Sequence, residues 1–466
     1  GVSYGAPTEF RFNAKLNEQK LEWSPGMLGN TLDQDDLYVE MTFAKVMDDL
    51  GLNASCEDYG EAFKVSKYSL WHANAGARRA LGRGIKAPWS GHPKYNAHTD
   101  DIDFQIEADF IGLMCPSLPR ESNKYCDRVG RVMNYGDGLY GGMFVCGMYS
   151  AAFFESDPRK VVSAGLACIP TKSQYALLIK DALAWSERYP NDWRKVWQLI
   201  EDKWDTNDAC PEGALQPLNI DAKLNGVYIA LGLLFGGGDF GKTMEISIRC
   251  GQDSDCNPSS AAGVLGVMVG YNRIPEAFKS GIAAIEDKKF SFTDYSFNSI
   301  VKSTEIRALK IVQATGGKVS DQGVTIRVQK PKAPRLEQWS PGIPDRRVKA
   351  DDGCWSYRGA WQTDRGAKVS TKKGDEATLA FEGVAVVVLG ELSPSGGRAD
   401  VYLDGKKVDT ADAYVVERTH DDAFWHIYGL KPGRHTVRLV TTEEADARPR
   451  GTRVALRGAV MYRQKQ

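Results

Sequence analysis

The chain has 466 residues, of which 42% are hydrophobic, and a formal charge of −1. That length asks for two or three domains with real cores, and the near-zero charge gives no general attraction to nucleic acid or to an acidic membrane surface. No apolar run approaches the roughly 18 residues of a membrane span, and the longest, near residues 227–235, reads as a core helix.

Residues 1–316 read as helical. Asp35 and Asp36 open a helix with apolar positions Leu37, Met41, Ala44, Met47 and Leu50, stopped by Gly51. Ile102, Ile106, Phe110 and Leu113 stripe a second helix that begins near Thr99. A glycine-rich loop, GDGLYGG at 136–142, precedes the apolar stretch 143–154. Asp157 with Pro158 starts a further helix, and Thr171 and Asp192 cap the next two. Residues 219–235 form a mostly buried helix, followed by a Gly-Gly-Gly-Asp turn ending at Asp239.

The stretch 251–270, GQDSDCNPSSAAGVLGVMVG, carries the densest signal. Asp253 and Asp255 stand two apart, so an extended backbone would turn both carboxylates the same way. Asn257 and Pro258 read as the start of a helix. Its glycines, Gly263, Gly266 and Gly270, suggest close approach of a neighbouring backbone. Helix capping by the two acids is the competing explanation. A last helix is expected from Thr293 to about Ala314.

After Gly316-Gly317 the pattern alternates. Residues 377–381, 384–389 and 399–403 are strands, and Asp404-Gly405 is a two-residue hairpin signal. Further strands are expected over 435–440 and 453–462, which together argue a β-sandwich of jelly-roll type. Residues 330–350, rich in proline and charge, read as a wrap between the parts. The expected domains are therefore 1–316 and 317–466. Nine cysteines occur with no Cys-x-x-Cys pair, which argues against a zinc ribbon and decides nothing about redox compartment. The chain opens at Gly1 inside an element, so a leading segment is expected to lie outside it.

Four motifs stand in order: GAPTEF (5–10), QDD (34–36), the GDG loop and GQDSDCN (251–257). Together they resemble the ADP-ribosylglycohydrolase family across nearly all of residues 1–316. The resemblance implies an all-α domain holding up to two divalent ions, Mg²⁺ or Mn²⁺, with Ca²⁺ also suited to oxygen ligands. It implies Glu9, Asp35, Asp36, Asp253 and Asp255 as carboxylate ligands. Gln34 and Cys256 stand where the family usually has threonine hydroxyls. A glutamine carbonyl still suits a hard ion, whereas a thiol is a poor ligand for one.

Relatives use the glycine loop to cradle phosphates, with Gly136 and Gly138 framing it here. Asp137 would set a negative charge beside that cradle, and Tyr140 would offer a face to a sugar ring. Asp137 as a plain helix cap is the alternative. Asp103 and Glu107, four apart behind Asp100 and Asp101, are candidates for acid–base work, against an ordinary acidic helix start. His72, His92 and His98 lack ligand spacing and read as hydrogen-bonded structural residues. The β-part resembles the sandwich domains appended to secreted bacterial glycosidases. Trp355, Tyr357, Trp361 and Trp425 there fit a sandwich core better than a sugar platform.

The expected protein is an extracytoplasmic, metal-dependent hydrolase of a glycosidic bond, with Asp36, Asp253 and Asp103 as its catalytic acids. Its partner is a carbohydrate or neutral glycoside, with no nucleic acid and no membrane span. A true ADP-ribosyl hydrolase, and an inactive sugar- or nucleotide-binding protein, are the alternatives.

Overall fold

The computed structural model describes residues 1–205, 208–337, 339, 341–442 and 451–465. The chain divides into two compact units, residues 1–206 with 218–338 and residues 207–217 with 339–466. The first is helical and the second is built of β-sheets.

The longer helices of the first unit are α1 (Asp35–Leu50), α2 (Cys56–Lys64), α3 (His72–Gly82), α4 (Pro119–Gly130), α5 (Gly136–Ala152), α6 (Pro158–Leu166), α7 (Gln174–Arg188), α8 (Trp193–Trp204), α9 (Ala222–Gly236), α10 (Phe240–Arg249), α11 (Cys256–Val269) and α12 (Phe297–Ala314). Helices α5 and α9 are apolar on nearly every side and form the centre of the unit. Asp192, Asp221 and Asp239 each accept a backbone N–H in the first turn of the following helix. Among the described residues, no helix is long and apolar enough to cross a membrane.

Local competition for backbone groups explains where the structure departs from the sequence pattern. The expected helix over 102–113 is two short ones, Asp103–Ile106 and Asp109–Leu113. Phe104 N donates to Asn134 Oδ1 (3.0 Å) and Phe110 N to Glu40 Oε2 (3.3 Å), so side chains intercept the amide bonds. The caps expected at Thr171 and Thr293 are Ser173 and Ser296. Thr293 Oγ1 instead accepts Tyr295 N (3.1 Å) and closes a turn. Residues 136–142 are not a loop: α5 starts at Gly136 itself, where φ is +55°.

The first two strands, β1 (Lys318–Ser320) and β2 (Gly323–Thr325), form a hairpin in the helical unit. In the second unit, two antiparallel sheets share one core. Its strands in chain order are β3 (Ile343–Lys349), β4 (Trp355–Arg358), β5 (Gln362–Asp364), β6 (Ala367–Ser370), β7 (Glu376–Gly383), β8 (Ala385–Glu391), β9 (Arg398–Leu403), β10 (Lys406–Asp412), β11 (Asp422–Ile427), β12 (Gly433–Thr441) and β13 (Val454–Arg463). One sheet has the order β10-β9-β12-β7-β4, the other β11-β8-β13-β6-β5, with β3 also paired to β13. Leu379, Phe381 and Leu439 of the first sheet pack with Val386, Val388 and Met461 of the second. Trp355 and Trp425 belong to this core, at 7% and 6% exposure. Asp404 and Gly405, with φ of +49° and +83°, make the tight β9–β10 turn that the sequence signals. The segment 208–217 is tied to this unit: Tyr462 donates to Ala209 O (2.8 Å) and Arg347 to Pro211 O (2.7 Å). The wrap at 330–350 ends in β3, whereas its first part, to Glu337, lies in the helical unit.

Candidate metal centre

Three parts of the helical unit carry the expected acids. Gln34 is the residue before α1, in extended conformation and without a side-chain capping bond. Asp35 and Asp36 occupy the first turn of α1, where carboxylates favour the positive end of the helix. Asp255 precedes α11, which starts at Cys256.

The backbone at 251–255 is a turn rather than an extended strand, with Gly251 at φ +84° and Gln252 at +54°. Asp253 Oδ1 and Asp255 Oδ1 both accept from Cys256 N, at 3.2 and 3.0 Å. The carboxylates therefore converge around one amide instead of through strand alternation. Oxygens of Asp253 and Asp255 lie with the Cys256 sulfur within 4.8 Å of one another. Glu9 is brought in by the first residues of the chain. Phe10 N donates to Gln252 O (3.0 Å), and the hydroxyls of Thr8 and Ser254 are 3.0 Å apart. Gly5 packs so closely on this turn that a Cβ there would sit 1.7 Å from Ser254 O.

The electrostatics record the same convergence. Burial, then Asp255 and Asp35, push Glu9 up to about 8. Burial, then Asp35, Asp255 and Asp109, hold Asp36 well above the usual carboxylate range. Asp255 is raised by burial and then by Asp253. Burial, opposed in part by hydrogen bonds and reinforced by Glu9, brings Asp253 up to about 7. Burial also raises Asp35, and His72 acts in the opposite sense on Asp35 and Glu9. Asp36 Oδ1 and Asp253 Oδ2 are buried with no hydrogen-bond partner. Unpaired buried carboxylate oxygens are costly, and a hard divalent cation is the group this donor set fits. The Cys256 thiol is different. Burial and then Asp253, Asp255, Asp36 and Asp35 raise its pKa well above the usual thiol value, and its sulfur faces Asp255 Oδ1 at 3.6 Å. It sits in the cluster as a neutral S–H.

The other expected residues lie elsewhere or do other work. Asp103 accepts Ala73 N (3.1 Å) and Asn74 N (2.9 Å), one on each oxygen. It caps the N-terminus of α3, each oxygen holding one backbone amide. Asp137 Oδ2 accepts Tyr175 N (3.2 Å) at the start of α7, so its charge serves a helix end. Tyr140 is 1% exposed, which corrects its expected part as a sugar platform. Gly136 and Gly138 belong to the first turn of α5. A Cβ on Gly138 would meet Asn134 Nδ2 at 2.4 Å and Thr99 O at 2.5 Å, so this glycine serves packing. In α11, Gly263 is crowded by the Tyr149 hydroxyl rather than by a backbone, and Gly266 has ordinary van der Waals room.

Sequence reasoning underrated several neighbours. Glu107 is fully buried, holds the Asn74 amide on one oxygen, leaves Oε2 unpartnered and is raised by burial, then by Asp103, with Asp35 and Asp36 adding to the effect. Glu40 stands one turn beyond Asp36 and faces Asp109, whose Oδ2 accepts the Tyr149 hydroxyl at 2.6 Å. The spacing of Asp36 and Glu40 on one helical face was available in the sequence. His72 acts on Asp35 and Glu9 only through the fold, and its Nδ1 lies 3.9 Å from Asp101 Oδ2.

Residues 1–303 match the protein family described as ADP-ribosylglycohydrolase. A curated relative, the A type blood alpha-D-galactosamine galactosaminidase of Flavonifractor plautii, is 45% identical over 67 residues, 14% of this chain and 6% of that protein. The match thus spans only a small part of the relative's length. Solved structures similar in part include the CBM36-1 domain of a multidomain xylanase from the hindgut metagenome of Trinervitermes trinervoides, at 14% identity over 25% of this chain and 93% of that one, TM-score 0.20. A carbohydrate-binding module, CBM36, in complex with calcium and xylotriose is 12% identical over 25% of this chain and 98% of that one, TM-score 0.20.

Proposed function

The chain belongs to the ADP-ribosylglycohydrolase family, and from that premise we propose that it is an extracytoplasmic, metal-dependent hydrolase of a glycosidic bond in a neutral glycoside or glycan. What supports this reading is the buried group of Asp253, Asp255 and Cys256, with Asp253 Oδ2 and Asp36 Oδ1 unpartnered, and the mutual electrostatic effect of Glu9, Asp35, Asp36 and Asp255. Those five carboxylates would hold the ion, with Gln34 beside them. When bound, a divalent ion there supplies Lewis acidity to substrate or water oxygens. The chain's own part is to position and to move protons. Asp36 Oδ1 and Asp253 Oδ2 are the oxygens free to engage the ion or to take a proton from water. Asp103 keeps α3 in place and so holds His72 next to Asp35 and Glu9.

The galactosaminidase relative lends support to a sugar as substrate. The test is a panel of neutral aryl glycosides and ADP-ribosylated substrates, with Mg²⁺, Mn²⁺ or Ca²⁺ and after chelation. Ion-dependent release from an aryl glycoside supports the proposal, and full turnover after exhaustive chelation overturns its metal dependence. Turnover of ADP-ribosylated substrates alone identifies an ADP-ribosyl hydrolase. Ion binding with no turnover of either class identifies a binding protein.

A further inference from the structure

Phe292 is at odds with its place in the chain. Its φ is +61°, in the left-handed region that glycine and asparagine adopt cheaply and a bulky side chain does not. The residue is 61% exposed, so folding gains little from its ring. The backbone there is nevertheless held firmly. Phe290 N donates to Tyr295 O (2.9 Å), Tyr295 N to Thr293 Oγ1 (3.1 Å) and Ser291 N to Leu32 O (2.7 Å). A strained residue that its surroundings fix, and that the core does not need, points to a ligand contact.

Two connections place this ring beside the carboxylates. Leu32, which receives Ser291 N, stands two residues before Gln34. The ring also meets Tyr38 edge to face, with centroids 5.4 Å apart at 80°. Tyr38 lies three residues after Asp35 on α1, so the two share one helical face. Burial and then the Asp35 charge push the Tyr38 phenol up, in keeping with that spacing. Tyr68 touches both rings, at 4.7 Å from Tyr38 and 5.7 Å from Phe292. Its segment is bonded to Tyr38, whose hydroxyl donates to Ser69 O (3.3 Å). The same segment continues into Trp71, 53% exposed, and His72, at φ +43°. A second exposed ring beside a second strained residue thus adjoins the start of α1.

We propose that Phe292 binds substrate: its ring is the apolar platform on which one face of a neutral sugar lies, with the sugar's hydroxyls turned to the carboxylate centre. This deepens the glycosidase reading and rests on it for the class of ligand. A sugar ring presents polarised C–H groups on its face, which suit the negative face of an aromatic ring, and hydroxyls at its rim, which suit acidic oxygens. The contact asks for no charge on the ligand.

The experiment is NMR titration with saturation transfer, in Mg²⁺, of the methyl glycosides of galactose, glucose and N-acetylgalactosamine, and separately of ADP-ribose. The proteins are the full chain, Phe292→Leu and Phe292→Tyr, with thermal melts and Mg²⁺ affinity measured for all three. The parent should bind at least one methyl glycoside, with saturation strongest on the C–H protons of one ring face. Phe292→Leu keeps an apolar cover over Tyr38 and Tyr68 but has no flat face. It should bind that glycoside at least fivefold more weakly, with melting temperature and Mg²⁺ affinity unchanged, and Phe292→Tyr should bind it within twofold of the parent. A Phe292→Leu protein that melts lower yet binds the glycoside as the parent does shows a cover for the two tyrosines only, and overturns the proposal. So does a parent that binds none of the methyl glycosides. Weakened binding of ADP-ribose alone identifies a base platform and overturns the sugar assignment. These readouts are independent of turnover, so failure of the glycosidase reading would show in the substrate panel and not here.

Discussion

Asp253 and Asp103 are both buried aspartates raised to about 7, yet they call for opposite expectations. Asp253 has an oxygen with no partner in the centre, so Asp253→Asn should lower metal content and turnover together, measured by elemental analysis and initial rates. Asp103 has both oxygens on amides of α3. Asp103→Ala should cost about 1–2 kcal/mol of stability as a lost cap and leave the metal content of the folded protein unchanged. Loss of metal without loss of stability would return Asp103 to the centre. The raised acids also fix a pH dependence. Their unfolded values lie near 4, whereas Asp253 and Glu9 titrate at about 7 and 8 in the ion-free fold. Between those limits the folded chain retains protons that the unfolded chain has released, so ion-free stability falls as pH rises through this window. The ion requires the deprotonated acids and binds more tightly over the same range. Melts with and without chelator should show a larger rise in Tm on adding Mg²⁺ at pH 8 than at pH 5.5. An equal rise at both would contradict the ligand assignment.

At the scale of elements, the GDG motif shows how one string serves packing and chemistry differently. Gly138 lets α5 lie against the carbonyl of Thr99 and the side chain of Asn134, contacts that a methyl group would invade. Gly138→Ala should therefore destabilise the protein by about 1–3 kcal/mol, seen as a fall in Tm, because backbone cannot rotate out of the way as a flexible side chain can. The same physics explains why the glycines of 136–142, read from the sequence as a loop, belong to a helix. Buried helices tolerate glycine where a neighbour needs the space, and the sequence string carries no record of the neighbour. The split of the helix near 102–113 has a related cause: Asn134 and Glu40, distant in sequence, take amides that periodicity assigns to the helix ladder.

At the scale of the whole molecule, two truncated chains separate the parts of the helical unit. A chain ending at Gly317 lacks Gln329 and Glu337, the side chains that cap α4 and α5, whereas one ending at Glu337 keeps both. Each lost cap costs about 1 kcal/mol, so the shorter chain should melt several degrees lower while both retain bound metal. Equal melting temperatures would show that these two side chains add nothing. The sequence by itself determined the helical and β-rich parts, since binary periodicity of 3.6 or 2 is a local property, and it determined the hairpin at Asp404-Gly405, where two adjacent residues supply the whole turn. The motifs containing Glu9, Asp35, Asp36, Asp253 and Asp255 marked those acids for one family-like site. Only the tertiary structure decided how they meet, through a turn around Cys256 N and the close approach of Gly5. It alone decided that Asp103 is a cap, that Tyr140 is covered, and that Glu337 lies at the start of α5. The reason is physical: burial and hydrogen-bond partnership depend on residues more than 200 positions apart, and these set what a carboxylate or a ring is free to do.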